Sequence, residues 1–253
     1  MLDRWLSPEV LEWQALEASG SYPPRESLKS RSYEMLAHAE QLLSQPPSEL
    51  SLADVITTLR RAIDRRVRDL NSVYSFRSIP FSDKPSDSLF LLESLGIIRS
   101  HMLQRLIDIR NAVEHEDVAP PGHETCKVFA EFTWYFLRST DRMLENVPDS
   151  FYFRPDWDND DNFETYMLTV DYGPENNWKP RLWGWIAAEM LSDGSVSEWI
   201  CLKVEKIETR KEIAERRGYD DAVGKSNDLL IHAEVRGPAS ALAKITQAYF
   251  SVI

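Results

Sequence analysis

Apolar residues return every three or four positions through most of the first 150 residues, and beyond about residue 163 the period shortens to two. The opening segment Ser7-Pro8-Glu9-Val10-Leu11-Glu12-Trp13 predicts a short amphipathic helix. Ser7 is a capping residue, Pro8 suits a first turn, and Gly20 with Pro23-Pro24 ends it. A second helix is predicted from about Glu26 to Leu43, stopping before Gln45-Pro46-Pro47. In a third, which follows Ser48, Leu59, Ile63, Val67, Leu70 and Tyr74 make one buried face. A further helical segment covers about Asp87 to Ala112, with Gly96 dividing or bending it. After Pro120-Pro121-Gly122, an aromatic-rich helix is predicted from about Glu124 to Asn146.

Antiparallel helices joined by short proline-marked turns predict an up-down α-helical bundle over residues 1–150, with its core at 50–147 and N-terminal helices at 7–45. Residues 151–162 read as an acidic linker. Beyond it, strand-like runs lie at Tyr166–Val170, Leu182–Ile186, Trp199–Val204, Leu229–Val235 and Tyr249–Ile253, with a helix at about Ser240–Ala248. The expected fold is therefore a helical bundle followed by a smaller α+β domain, residues 163–253, with a mainly antiparallel sheet.

Composition narrows the class. Hydrophobic residues at 43% and charged residues at 28% exclude a disordered chain. No secretory signal or membrane span is expected, and Cys126 and Cys201 sit in separate apolar segments as two reduced thiols, which fits a cytoplasmic location. The net charge of −12 is opposite to that of a chain binding nucleic acid along its whole surface. Any RNA must be held at a local basic site. Arg60, Arg61, Arg65, Arg66 and Arg68 form the one strong basic cluster. Most simply they are a solvated helix face paired with Asp64 and Asp69. They are also the best place for RNA to dock, with Arg61, Arg65 and Arg68 as candidate substrate-binding residues.

Candidate chemistry lies in Ile107-Asp108-Ile109-Arg110-Asn111-Ala112-Val113-Glu114-His115-Glu116. Arginine and histidine five apart on a helix end can face one cleft. A guanidinium holds a phosphodiester by two parallel hydrogen bonds and offsets charge developing on its oxygens, and histidine exchanges protons near neutral pH. The ribose 2′-hydroxyl is RNA's own nucleophile, so no metal or cofactor is expected. Asn111 is a candidate to orient the phosphate or the histidine.

The segment resembles the signature of the HEPN superfamily: an arginine, a polar residue next, and a histidine a few positions later. The arginine-rich stretch Leu59–Arg68 and Leu91–Ile98 also resemble the helices of such domains, so the likeness covers roughly residues 50–147. It implies a metal-independent endoribonuclease with Arg110, Asn111 and His115 catalytic, a homodimer pairing two motifs in one cleft, and 2′,3′-cyclic phosphate ends. It also implies a toxin or phage-defence setting, with an antitoxin or regulatory protein as a further partner. The alternative is a non-catalytic dimerisation or interaction module whose C-terminal domain recognises a ligand or partner.

Other signals are weaker. Gly224-Lys225-Ser226 lacks the earlier glycine of a phosphate-binding loop, where Tyr219 stands, and reads as a polar turn. Asp156–Asn162 alternates carboxylates but lacks the glycine and glutamate of a calcium loop. His38, His101, His123 and His232 are scattered without zinc spacing. Trp178, Trp183, Trp185 and Trp199 predict a tryptophan-rich core in the second domain.

Overall fold

The computed structural model describes residues 2–22, 27–80, 84–99, 101–116, 118–155, 166–218 and 225–253. The chain divides into two units, each assembled from separated stretches: a helical unit of residues 22–76 and 84–147, and a sheet unit of residues 1–21, 77–83 and 148–253.

In the helical unit, α1 is Ser27–Leu43, α2 Glu49–Tyr74, α3 Ser88–Ser94, α4 His101–His115, α5 His123–Ser139 and α6 Asp141–Glu145. These occupy the segments whose apolar period predicted helix. The longest, α2, starts at a reciprocal cap: Ser48 Oγ accepts from Ser51 N–H and Ser51 Oγ accepts from Ser48 N–H. It packs against α1, α4 and α5 through a face that includes Val55, Ile56, Leu59, Ile63, Leu70 and Tyr74. Arg66 lies on that same buried face and is not part of a solvated one. Its guanidinium, wholly buried, donates through Nη1 to Leu137 O, Thr140 Oγ1 and Asp141 Oδ1, which offsets part of the cost of burying the charge.

The sheet unit corrects the expected fold class. Its eight strands are β1 Leu2–Leu6, β2 Gln14–Tyr22, β3 Val147–Arg154, β4 Met167–Asp171, β5 Arg181–Ile186, β6 Leu191–Ser192, β7 Ile200–Thr209 and β8 Leu229–Gly237. They lie in the order β2-β3-β4-β5-β8-β7-β1-β6, antiparallel at every register described. The first 21 residues belong to this sheet and not to a bundle, and the sheet unit is the larger of the two. A helical bundle followed by a small α+β domain is therefore not the architecture.

The reason is long-range pairing. β1 runs beside β7 with Leu2 opposite Val204 and Leu6 opposite Ile200, and it carries Leu6 into the core. The predicted first helix is a five-residue 3₁₀ turn, Pro8–Glu12, between β1 and β2; Ser7 caps it, accepting from Glu9 N–H. β3 occupies the start of the expected linker, and residues 156–162 of that linker lie outside the described residues.

Two helices complete the unit, α7 Arg210–Arg217 and α8 Ala239–Ser251. The predicted final strand is the end of α8, because Ala241, Ile245 and Tyr249 continue one buried helical stripe to its last turn. Tyr249 joins Phe151, Tyr172 and Trp178 in edge-to-face contacts, and its hydroxyl donates to Pro148 O.

Candidate functional site

α4 packs against α2 and α5, with Leu103 and Leu106 buried, and this leaves its last turn at the surface with the polar run of the motif. Arg110 is half-buried there, while Asn111 and His115 are exposed. Arg110 Nη1 donates to Asn111 Oδ1 at 3.2 Å and lies 3.5 Å from His115 Nε2. The five-residue offset is about 7.5 Å of helix rise, a span that the long arginine side chain crosses by reaching toward the C-terminus. In the tautomer that carries its proton on Nδ1, the imidazole presents the Nε2 lone pair to the guanidinium.

The neighbouring face of α2 carries Arg60, Asp64 and Arg68, spaced four apart and so on one side of the helix. Arg60 Nη2 pairs with Asp64 Oδ1 at 2.8 Å. Burial pushes the Asp64 carboxyl above its usual range, while Arg60, Arg68 and Arg110 pull it the other way. One carboxylate thus stands among three guanidiniums, a locally cationic spot on a chain of net charge −12.

Of the three arginines expected to dock RNA, only Arg68 belongs to this spot. Arg68 acts on Asp64 together with Arg110. Arg65 is held by Asp69 at 3.0 Å. Arg61 lines a separate polar cleft between α1 and α2, of about 650 Å³, with Arg31, Glu34, His38 and Asp54. The ion pairs Arg60–Asp64 and Arg65–Asp69 are those expected from the sequence, whereas the approach of Arg110 to Asp64 was not.

The other candidates disperse. His123 Nε2 meets Leu43 O at 2.8 Å, a structural contact, and His232 stacks on Trp183. The tryptophans do not form one core: Trp178 is buried, but Trp183 is 40% exposed, and Trp185 lies beneath the Arg210 guanidinium. Burial pushes the Cys126 thiol up to about 11, which suits an inert core residue. Lys225 N–H donates to Asp228 Oδ2 in a turn, with Gly224 outside the described residues, as are Asp156–Asn162. Among the described residues, no helix is long and apolar enough to cross a membrane.

No family model, curated protein or solved structure matches the chain.

Proposed function

We propose that this chain is a HEPN-type endoribonuclease that cuts RNA without a metal, using Arg110, Asn111 and His115. The observation that carries the reading is the reach of one guanidinium nitrogen, Arg110 Nη1, to both Asn111 Oδ1 and His115 Nε2 at an open helix end. A phosphodiester entering there replaces the asparagine and histidine as partner of the arginine fork. His115 Nε2 takes the proton of the 2′-hydroxyl as the 2′-oxygen attacks phosphorus, and the bond from phosphorus to the 5′-oxygen breaks. Arg110 offsets the charge that develops on the phosphoryl oxygens.

The products are a 2′,3′-cyclic phosphate and a 5′-hydroxyl. The 5′-oxygen needs a proton, and in the proposed homodimer the second copy's motif supplies it. Arg60 and Arg68 hold flanking phosphates, and Asn111 keeps Arg110 aimed when the site is empty. An antitoxin-like regulatory partner fits a nuclease that must be restrained.

Single-stranded RNA incubated with excess EDTA tests the reading. Wild type should cleave, and His115→Ala and Arg110→Ala, shown folded by circular dichroism, should each lose about 10²–10⁴-fold in rate. DNA of the same sequence should resist. Sedimentation should give a dimer at tens of micromolar. Cleavage that persists in His115→Ala would sink the mechanism.

A further inference from the structure

α3 closes on a left-handed glycine. Gly96, at φ +77°, donates to Glu93 O at 2.9 Å, and Ile97 N–H donates to Leu92 O at 3.0 Å. These bonds fix the chain that follows as one wall of a cavity of about 550 Å³, whose other walls are the start of α4 and the C-terminal half of α5. Buried Leu103 and Phe136 lie at its floor, and half-exposed Ile97, Ile98 and Met102 line its sides with Phe132. At the rim stand Arg99 and His101, both exposed and neither bonded to any of the described residues. Glu93 is the lone carboxylate of the lining, and it is engaged in a contact of its own.

We propose that this cavity is a small-molecule site for an amphipathic monoanion, with an acyl or aryl tail in the apolar interior and a carboxylate against Arg99 and His101. The volume is that of ligand sites, and an apolar interior with a few convergent polar groups is their usual make-up. Water in the interior would find few partners, so an apolar tail displaces it at little loss. The rim selects the head group: Arg99 offers a planar pair of donors matched to a carboxylate, and His101 a ring N–H beside it. Because the α3 cap holds the wall in place, little ordering is needed on binding. The site is independent of the Arg110 motif, which sits at the opposite end of α4.

Titration calorimetry of the full chain tests this with octanoate as the acyl probe, 3-phenylpropanoate as the aryl probe, and octanol and acetate as controls. Saturable one-to-one binding of octanoate or 3-phenylpropanoate is expected, whichever fits better naming the tail, with octanol weaker and acetate silent. Arg99→Ala should weaken the acids by about tenfold and leave octanol unchanged. Met102→Trp should fill the cavity and abolish binding; Phe132→Ala, a milder change, should weaken acid and alcohol alike. Octanol binding as tightly as octanoate, or octanoate binding equally well to wild type, Arg99→Ala and Phe132→Ala, would overturn the assignment. So would a wild type that ignores every probe while Phe132→Ala dissolves a dimer, since a second copy would then fill the cavity.

Discussion

Arg66 and Arg110 both engage polar groups within the helical unit, and burial divides their roles. Arg66 is fully buried, with Asp141 and two backbone or hydroxyl oxygens as acceptors, so truncating it leaves a carboxylate desolvated beneath Tyr33 and Arg138. Arg66→Ala should cost roughly 3–5 kcal/mol in urea unfolding, and an Arg66→Met, Asp141→Leu pair much less, because the pair leaves no lone charge. An equal loss in both would show that packing, not the loss of Asp141's buried charge partner, sets the penalty. Tyr172 makes a second residue-scale prediction. Its phenol is buried, meets Thr246 Oγ1 at 2.6 Å, and is held by burial well above its ordinary value of 10.0. A group raised on folding stabilises fully below its unfolded value, and that contribution is lost as pH rises through the folded one. Stability should therefore fall above pH 10. Tyr172→Phe, about 1 kcal/mol weaker at pH 8, should flatten that alkaline loss. Parallel urea midpoints for the two proteins from pH 8 to 11 would refute the assignment.

Among elements, helices were legible and the sheet's edges were not. The stripe of α2 runs from Val55 to Tyr74, over about five turns, so local period alone finds it. β1 has five residues, two of them Asp3 and Arg4, and nothing local marks it as strand; its partner β7 lies some 200 residues away. Tyr249–Ile253 misleads for the opposite reason, since aromatic and β-branched residues have strand propensity while the buried stripe of α8 overrides it. The motif at Arg110 could be found because its residues share one helix end. Its grouping with Arg60, and the burial of Arg66, depend on which face α2 turns to α4 and α5, which a run of arginines does not disclose. Within the sheet, Gly184 faces Leu168 across β4 and β5 at φ +146°, where an added Cβ would stand 2.0 Å from Met167 O. Gly184→Ala should lose roughly 2–4 kcal/mol by overpacking and backbone strain together. A thermal midpoint within a degree or two of wild type would show that the strands part without penalty.

At the scale of the whole molecule, the proposed function asks a chain of net charge −12 to hold a polyanion, and this sets how binding should respond to salt. Asp64 stands among Arg60, Arg68 and Arg110, while Asp69 holds Arg65 and Arg61 faces a different cleft. On the proposed reading, Arg60, Arg68 and Arg110 are the three cations that replace counterions on RNA. For single strands each replaced counterion contributes about 0.7 to the slope of log K against log salt, so the slope should be roughly −2. The measurement needs RNA that is bound but not cut, which His115→Ala provides, followed by fluorescence anisotropy from low to high potassium chloride. On that background Arg68→Ala should weaken binding and make the slope shallower by about 0.7, whereas Arg61→Ala and Arg65→Ala should leave it where it was. Those two neutral outcomes matter most, because all three arginines lie within eight residues of one helix and a diffuse basic face would treat them alike. A slope steeper than about −5, or equal losses from Arg61→Ala and Arg68→Ala, would place RNA along the length of α2 and remove the Arg110 cleft as its dock.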